Sequence, residues 1–137
     1  MFITDLITNR DMSKDYCWIL EEDLIYQNSK YIITVKKGFD FDFASIPWFI
    51  RWLLPKNGVK YDRSSCLHDG LFASNLLPFE ECNSIFKEAS LEDGVNTTIA
   101  DIMYWAVSLF GQSAYKSSEE ELQKYRQLVT ITNIELR

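Results

Sequence analysis

The spacing of apolar residues changes once along this chain, near Pro47, and that change limits the possible folds more than any other feature. Before it, apolar residues alternate with polar ones, as in Phe39, Phe41 and Phe43, and a period of two is typical of strands. After it, apolar residues recur every three or four positions, which is typical of helices. Strands followed by helices indicate an α+β fold rather than alternating βαβ units.

The pattern predicts an N-terminal antiparallel β-hairpin or sheet packed on a bundle of about four helices. Residues 17–26 and 31–36 form the predicted hairpin, because a polar turn separates two runs with strand character. Helices are predicted over 48–54, from 61 or 62 to about 73, from Pro78 onward, from 97 or 98 to Gly111, and over 118–128, with a capping box of Ser117 and Glu120. Residues 129–136 fit either a strand or a frayed tail.

One helix has a clear apolar stripe, which we expect to face a core. Its members are Ile99, Ile102, Met103, Ala106, Leu109 and Phe110. The pairs Tyr104-Trp105 and Trp48-Phe49 are also predicted to be core residues. If Trp48, Trp52 and Trp105 were exposed instead, they would form a partner-binding patch, since tryptophan is over-represented among interface anchors.

Length and charge narrow the class of protein. The 137 residues suit a single domain, 1–137, and 47% are hydrophobic, which is ample for one core. The net charge of −6 argues against nucleic-acid binding, which needs cationic side chains to neutralise phosphates. The apolar runs are too short to span a bilayer, and the N-terminus does not resemble a signal peptide, so we expect a soluble intracellular protein. Three widely spaced cysteines predict buried, reduced thiols.

Four polar residues stand among apolar ones and form the candidate site: Asp42, Ser45, His68 and Asp69. In a hydrolase, Ser45 would be the nucleophile and His68 the base, oriented by Asp42 or Asp69. In a metal site, the ligands to a divalent ion would be His68, Asp69 and Asp42. In the third hypothesis the cluster is structural, because buried polar groups that satisfy one another fix a single packing arrangement. The context of Ser45, just before Ile46-Pro47, also fits a helix cap.

Two segments of the chain resemble a known family. The first is Gly38-Phe39 followed by Asp42-x-Ala44-Ser45-Ile46-Pro47, and the second is 61–69, which contains the His68-Asp69 pair. Three shorter matches come later in the chain: Ile85-Phe86, 103–107 and Phe110-Gly111. Together they resemble domain-of-unknown-function family 1353, which occurs in bacteriophages and prophages. The resemblance implies a phage or prophage origin and no particular reaction. This chain departs from the family pattern at Phe41 (threonine expected), Trp48 (arginine expected) and Asn83 (aspartate expected).

Two functions follow as hypotheses. The first is a phage accessory protein with a hydrolase-like pocket, in which His68 is the acid–base group, Asp42 its orienter or a ligand, and Asp69 a second ligand. The second is a non-enzymatic protein: a virion or tail-assembly component, or an inhibitor that binds a host protein. Either would work in the host cell cytoplasm or associated with the virion. The sequence leaves the cofactor open, with a divalent metal as the candidate, and it leaves the oligomeric state open.

Overall fold

Within residues 1–10, 18–41, 62–116 and 118–134, which the computed structural model describes, six short strands form two sheets and five helices follow the fifth strand. The strands are β1 (Thr8–Arg10), β2 (Trp18–Leu20), β3 (Leu24–Gln27), β4 (Tyr31–Val35), β5 (Asp40–Phe41) and β6 (Val129–Asn133). The helices are α1 (Asp62–Ser74), α2 (Phe79–Glu92), α3 (Thr97–Phe110), α4 (Gln112–Tyr115) and α5 (Glu119–Arg126). This arrangement confirms the predicted α+β class. The helix predicted over 48–54 lies outside the described residues.

Residues 18–41 contribute two strands to each of the two sheets. One has the order β1-β2-β5 and the other β3-β4-β6, with all pairs antiparallel. In the β3–β4 hairpin, Leu24 lies opposite Val35 and Tyr26 opposite Ile33, which confirms the predicted pairing. The C-terminal strand β6 pairs with β4 along its length, so residues 129–133 are a strand rather than a tail.

The prediction of one continuous strand over residues 17–26 is wrong, because the chain leaves one sheet and enters the other at residues 21–23. These three residues are consecutive acids, all exposed. The Asp23 carboxylate accepts a hydrogen bond of 2.8 Å from the backbone N–H of Lys37, which stabilises the crossing. Gly38 makes the return crossing with a φ of 96°, a backbone conformation that favours glycine.

Helix α1 occupies the centre of the fold. It packs against α2, α4 and α5 and against strands β3, β5 and β6. Gly70 allows the close approach to the sheet, since a Cβ there would lie 3.0 Å from a methyl group of Val35. A second apolar cluster joins α2 to α3 through Phe86, Met103 and Val107.

Helix α5 begins with the expected capping box, one residue later than predicted. The Ser118 hydroxyl accepts a hydrogen bond from the Glu121 N–H, and the Glu121 carboxylate accepts one from the Ser118 N–H. The predicted capping box of Ser117 and Glu120 is therefore wrong by one residue, because two adjacent serines each precede a glutamate at the required spacing. Of the helices in the described ranges, none combines the length and the apolar character needed to cross a bilayer.

Candidate functional site

His68 lies in the interior of the protein, held between two phenylalanine rings. Helix α1 places Phe72 one turn after it, with ring centroids 3.9 Å apart. From α2, the ring of Phe86 stacks on the other side at 4.6 Å. The exposed fraction of His68 is 0%, so no solvent-accessible surface is left for a substrate to contact.

An amide from the neighbouring helix is a polar partner of His68. Nε2 of the imidazole lies 2.7 Å from Oδ1 of Asn83. Because a carbonyl oxygen only accepts hydrogen bonds, the ring donates from Nε2, and in its neutral form it leaves Nδ1 as an acceptor. The Asn83 side chain is itself buried, with 1% of the residue exposed.

Burial lowers the pKa of His68 to about 4, since a charged imidazolium would lose its hydration among apolar groups. The hydrogen bond to Asn83 acts in the opposite direction and is the smaller effect. An amide cannot supply the negative charge that would stabilise imidazolium. His68 is therefore neutral at pH 7.

The same α1–α2 interface contains further buried polar groups. The Ser90 hydroxyl donates a hydrogen bond of 2.8 Å to the Ser64 hydroxyl, four residues before His68 on α1. Oγ of Ser65 and Nδ2 of Asn83 are buried and form no hydrogen bond within the part of the chain that the structure describes. Each buried unsatisfied group of this kind costs about 1–3 kcal/mol.

Sequence reasoning did not assign Asn83 and Ser90 to this interface. Their spacing of seven residues puts both on one face of α2, as the spacing of four puts Ser64 and His68 on one face of α1. The sequence therefore contained one signal for this interface, namely small polar residues at helical spacing within apolar helices. Which residue of α1 contacts which residue of α2 could be learned only from the packing of the two helices.

The other predicted site residues are only partly described. Asp69 follows His68 on α1 and is half-buried. Asp42 and Ser45 lie outside the described residues, so the catalytic set of His68, Asp42 and Ser45 and the metal set of His68, Asp69 and Asp42 stay predictions. Over the four described ranges, no group of three His, Cys, Asp or Glu side chains is placed to hold a metal ion.

The cysteine prediction is confirmed where the structure describes it. Cys66 and Cys82 are buried free thiols. Burial raises the pKa of Cys82 to about 12 and that of Cys66 well above its ordinary value, so both thiols stay protonated and unreactive at neutral pH. Cys17 lies outside the described residues.

Helix α3 presents large apolar side chains to solvent. Ile102, Trp105 and Leu109 are 42%, 63% and 64% exposed, and Phe110 at the C-terminal end of the same helix is 55% exposed. The predictions that Trp105 belongs to the core and that Ile102, Leu109 and Phe110 face it are therefore wrong. The prediction is confirmed for two other members of the stripe, Met103 and Ala106, which are buried together with Ala100 and Val107. We call Ile102, Trp105, Leu109 and Phe110 the α3 face.

The border of the α3 face carries one ion pair. Asp101, the only charged residue in α3, forms a salt bridge with Lys87 of α2, with 2.7 Å between Oδ1 and Nζ. The ammonium group of Lys87 also lies 5.4 Å from the ring centroid of Tyr104. The α3 face thus has no uncompensated charge on its own helix.

Comparison with known proteins identifies the family. The model of the family described as "Protein of unknown function (DUF1353)" matches residues 18–107. The chain belongs to the DUF1353 family. No curated protein and no solved structure matches the chain significantly.

The DUF1353 match covers the elements that build the site. It runs from the start of β2 to within three residues of the end of α3, and so includes His68, Asn83 and two of the four residues of the α3 face, Ile102 and Trp105. Strand β6, which completes the second sheet, lies beyond the match. The resemblance implied an aspartate at position 83, and the structure gives this departure a physical meaning: the residue that contacts Nε2 of His68 in this DUF1353 member is a neutral amide.

Proposed function

We propose that this DUF1353 protein is a non-enzymatic accessory protein of a bacteriophage or prophage, which acts by binding a protein surface through the α3 face. In this proposal the His68–Asn83 pair is a structural part of the α1–α2 interface. The phage origin rests on the family resemblance. The binding function rests on the contrast between a sealed histidine and an exposed apolar helix face.

The burial of His68 supports a structural role. A general base must come within hydrogen-bond reach of the proton that it removes. His68 is fully buried between Phe72 and Phe86, and its Nε2 is already bonded to Asn83. Its pKa, lowered to about 4, also leaves it a weak base at neutral pH.

The α3 face supports protein binding. Exposed single apolar residues are ordinary, but contiguous apolar patches rimmed by polar groups mark interaction sites. Trp105 has the largest side chain of the four and is 63% exposed, and tryptophan is enriched among the residues that dominate binding energy. The Lys87–Asp101 pair supplies a polar border. Covering this face removes apolar surface from water at a gain of about 25 cal/mol per Å².

A photo-crosslinking experiment tests the proposal. Benzoylphenylalanine at position 105 is expected to give protein adducts in the host cell, with the crosslinked peptides identified by mass spectrometry, and Leu109→Lys in the same chain should remove them. The matched control places the same probe at Trp18, which is 37% exposed on β2. An adduct yield at position 105 no higher than at position 18 would contradict the proposal.

The acid–base hypothesis is tested by metal analysis and by one substitution. We expect the purified protein to hold no stoichiometric divalent metal. His68→Ala should lower the free energy of unfolding by about 2–4 kcal/mol, because it leaves a cavity between two rings. A bound metal that is lost in His68→Ala without loss of stability would instead support the metal set of His68, Asp69 and Asp42.

A further inference from the structure

Ile102, Trp105 and Leu109 are spaced along α3 in a way that suits pairing with an identical helix. Ile102 precedes Trp105 by three residues and Leu109 follows it by four, so the stripe is nearly symmetric about its centre. When two such helices cross antiparallel about a two-fold axis at Trp105, Ile102 of one copy lies over Leu109 of the other. A two-fold interface requires this self-complementarity, because the same patch serves both partners.

We propose that the α3 face binds the α3 face of a second copy of this chain, forming an antiparallel two-fold dimer. This inference rests on the proposed function, since it names the partner of the same face. The two tryptophans meet near the axis, and each Ile102–Leu109 pair flanks them.

The charge distribution favours this face for self-association. Two copies that each carry a net charge of −6 repel one another over most of their surfaces. The α3 helix has one charged residue, Asp101, and Lys87 compensates it at 2.7 Å. The α3 face is therefore a place where two acidic copies approach without like charges in direct opposition.

The size of the face sets the expected strength. Fully covered aromatic side chains bury about 150–250 Å² each, and Trp105 and Phe110 are 63% and 55% exposed. With Ile102 and Leu109 added, the face falls short of the roughly 800 Å² per partner of a standard interface. We therefore expect a weak dimer that dissociates on dilution.

Sedimentation equilibrium of the full chain over a wide concentration range tests the dimer. The wild-type mass should rise from 16.1 kDa towards twice that value, and Leu109→Lys should stay monomeric with an unchanged circular dichroism spectrum. The matched control is Ile3→Lys, which adds the same charge at an aliphatic residue that is 56% exposed, against 64% for Leu109. This control should dimerise as the wild type does.

Disulfide formation tests the orientation. A mixture of Ile102→Cys and Leu109→Cys chains should oxidise to the mixed dimer in higher yield than either variant alone, with the wild type as the background control. In the antiparallel arrangement, the two copies of position 102 lie on opposite sides of the two-fold axis, each about 3.5 residues from the midpoint between positions 102 and 109. They are therefore separated by roughly 10 Å along the helix axis. Equal yields from the mixture and from the single variants would overturn the antiparallel register.

The results separate this inference from the proposed function. A wild-type chain that stays monomeric up to several hundred micromolar, or a Leu109→Lys chain that dimerises normally, overturns the dimer. If such a monomer still crosslinks from position 105 to a different protein, the α3 face binds that protein and the proposed function stands. If neither self-association nor crosslinking occurs, both proposals are wrong.

Discussion

A histidine packed between two phenylalanine rings behaves differently from one on a surface. His68 contacts Asn83 through Nε2, and its surroundings at the α1–α2 interface include aromatic rings that do not stabilise a positive charge. The unfolded chain places no such restriction on the imidazole. The pKa of His68 therefore differs between the folded and the unfolded state, and this difference makes stability depend on pH.

The first prediction concerns that pH dependence. The pKa of His68 is about 4 in the folded protein and about 6.5 when unfolded, so the unfolded chain takes up the proton first as the pH falls. The contribution of neutral His68 to the free energy of unfolding is fully present above pH 6.5 and is lost as the pH falls towards 4. Between pH 7 and pH 5 the loss is about 2 kcal/mol. Urea unfolding at both pH values should show this loss in the wild type.

The control for this prediction is His68→Gln, which keeps a hydrogen-bond donor and removes the titrating group. Its free energy of unfolding should be lower at pH 7 and should change less between pH 7 and pH 5. The carboxylates of the chain contribute equally to both proteins. Identical pH slopes would show that His68 does not have a lowered pKa.

The second prediction concerns Asn83→Asp, which places a carboxylate where the family resemblance implied one. A negative charge next to the imidazole favours imidazolium, so the pKa of His68 should rise by about 1–3 units. The chain contains one histidine, and its Cε1–H resonance can be followed by NMR titration without assignment. Ser84→Asp is the matched control, because it adds the same charge at the next, exposed position of α2. A pKa that stays near 4 in Asn83→Asp would be evidence against the His68–Asn83 contact.

At the scale of elements, one arginine joins three segments of the chain. Arg63 at the start of α1 donates to both oxygens of Asp93, at 2.6 and 3.0 Å, just after the end of α2. It also donates to the carbonyl oxygen of Thr4 at 3.2 Å, and its guanidinium lies 4.7 Å from the ring centroid of Phe2. The N-terminal segment and the two helices therefore share a single cation.

The third prediction is that Arg63→Met lowers the free energy of unfolding by about 3 kcal/mol. The Asp93 side chain is 5% exposed, and a buried carboxylate without its counter-charge is strongly destabilising. The matched control is Lys124→Met, where the contact to Asp40 is 3.4 Å and the lysine side chain is 56% exposed. Its loss should stay below about 1 kcal/mol. Urea unfolding at pH 7 measures both, and equal losses would contradict the prediction.

The element boundaries were largely predictable from the sequence, whereas the faces of α3 were not. Residues 97–110 are apolar on almost every side, so a stripe with helical spacing fits more than one orientation. The structure buries Ala100 and Met103 and leaves Ile102 and Leu109 in solvent, a choice made by the packing of α3 on Phe86 of α2. Periodicity identifies a helix with an apolar face, but only tertiary packing decides which of two apolar faces is covered.

The candidate site shows the same division. His68 was predictable as a buried polar residue, because the helical spacing around it is apolar. Its observed partner, Asn83, lies fifteen residues away on another helix, and the contact depends on how α1 and α2 are aligned. No local pattern in the sequence encodes that alignment.

At the scale of the whole molecule, contacts between distant parts of the sequence predict cooperative unfolding. The N-terminal ammonium group contacts Glu92 at the end of α2, and α1 contacts both the second sheet and the other helices. The fourth prediction is therefore that residues 1–137 unfold as one domain. Near-UV and far-UV circular dichroism should give coincident urea transitions, and the calorimetric and van't Hoff enthalpies should agree. Two separated transitions would show that the sheets and the helices fold independently.

The pairing of β4 with β6 has a consequence for the protein while it is being made. Strand β4 pairs with β3 across a short turn, but its other neighbour in the sheet, β6, comes more than 90 residues later in the sequence. On the ribosome, synthesis from Val35 to Val129 takes roughly 5 to 20 s at cellular elongation rates. Throughout that interval one edge of the nascent β-hairpin is open, and unpaired strand edges are templates for aggregation. We therefore expect the newly made chain to depend on chaperones until the last strand of the second sheet has been translated.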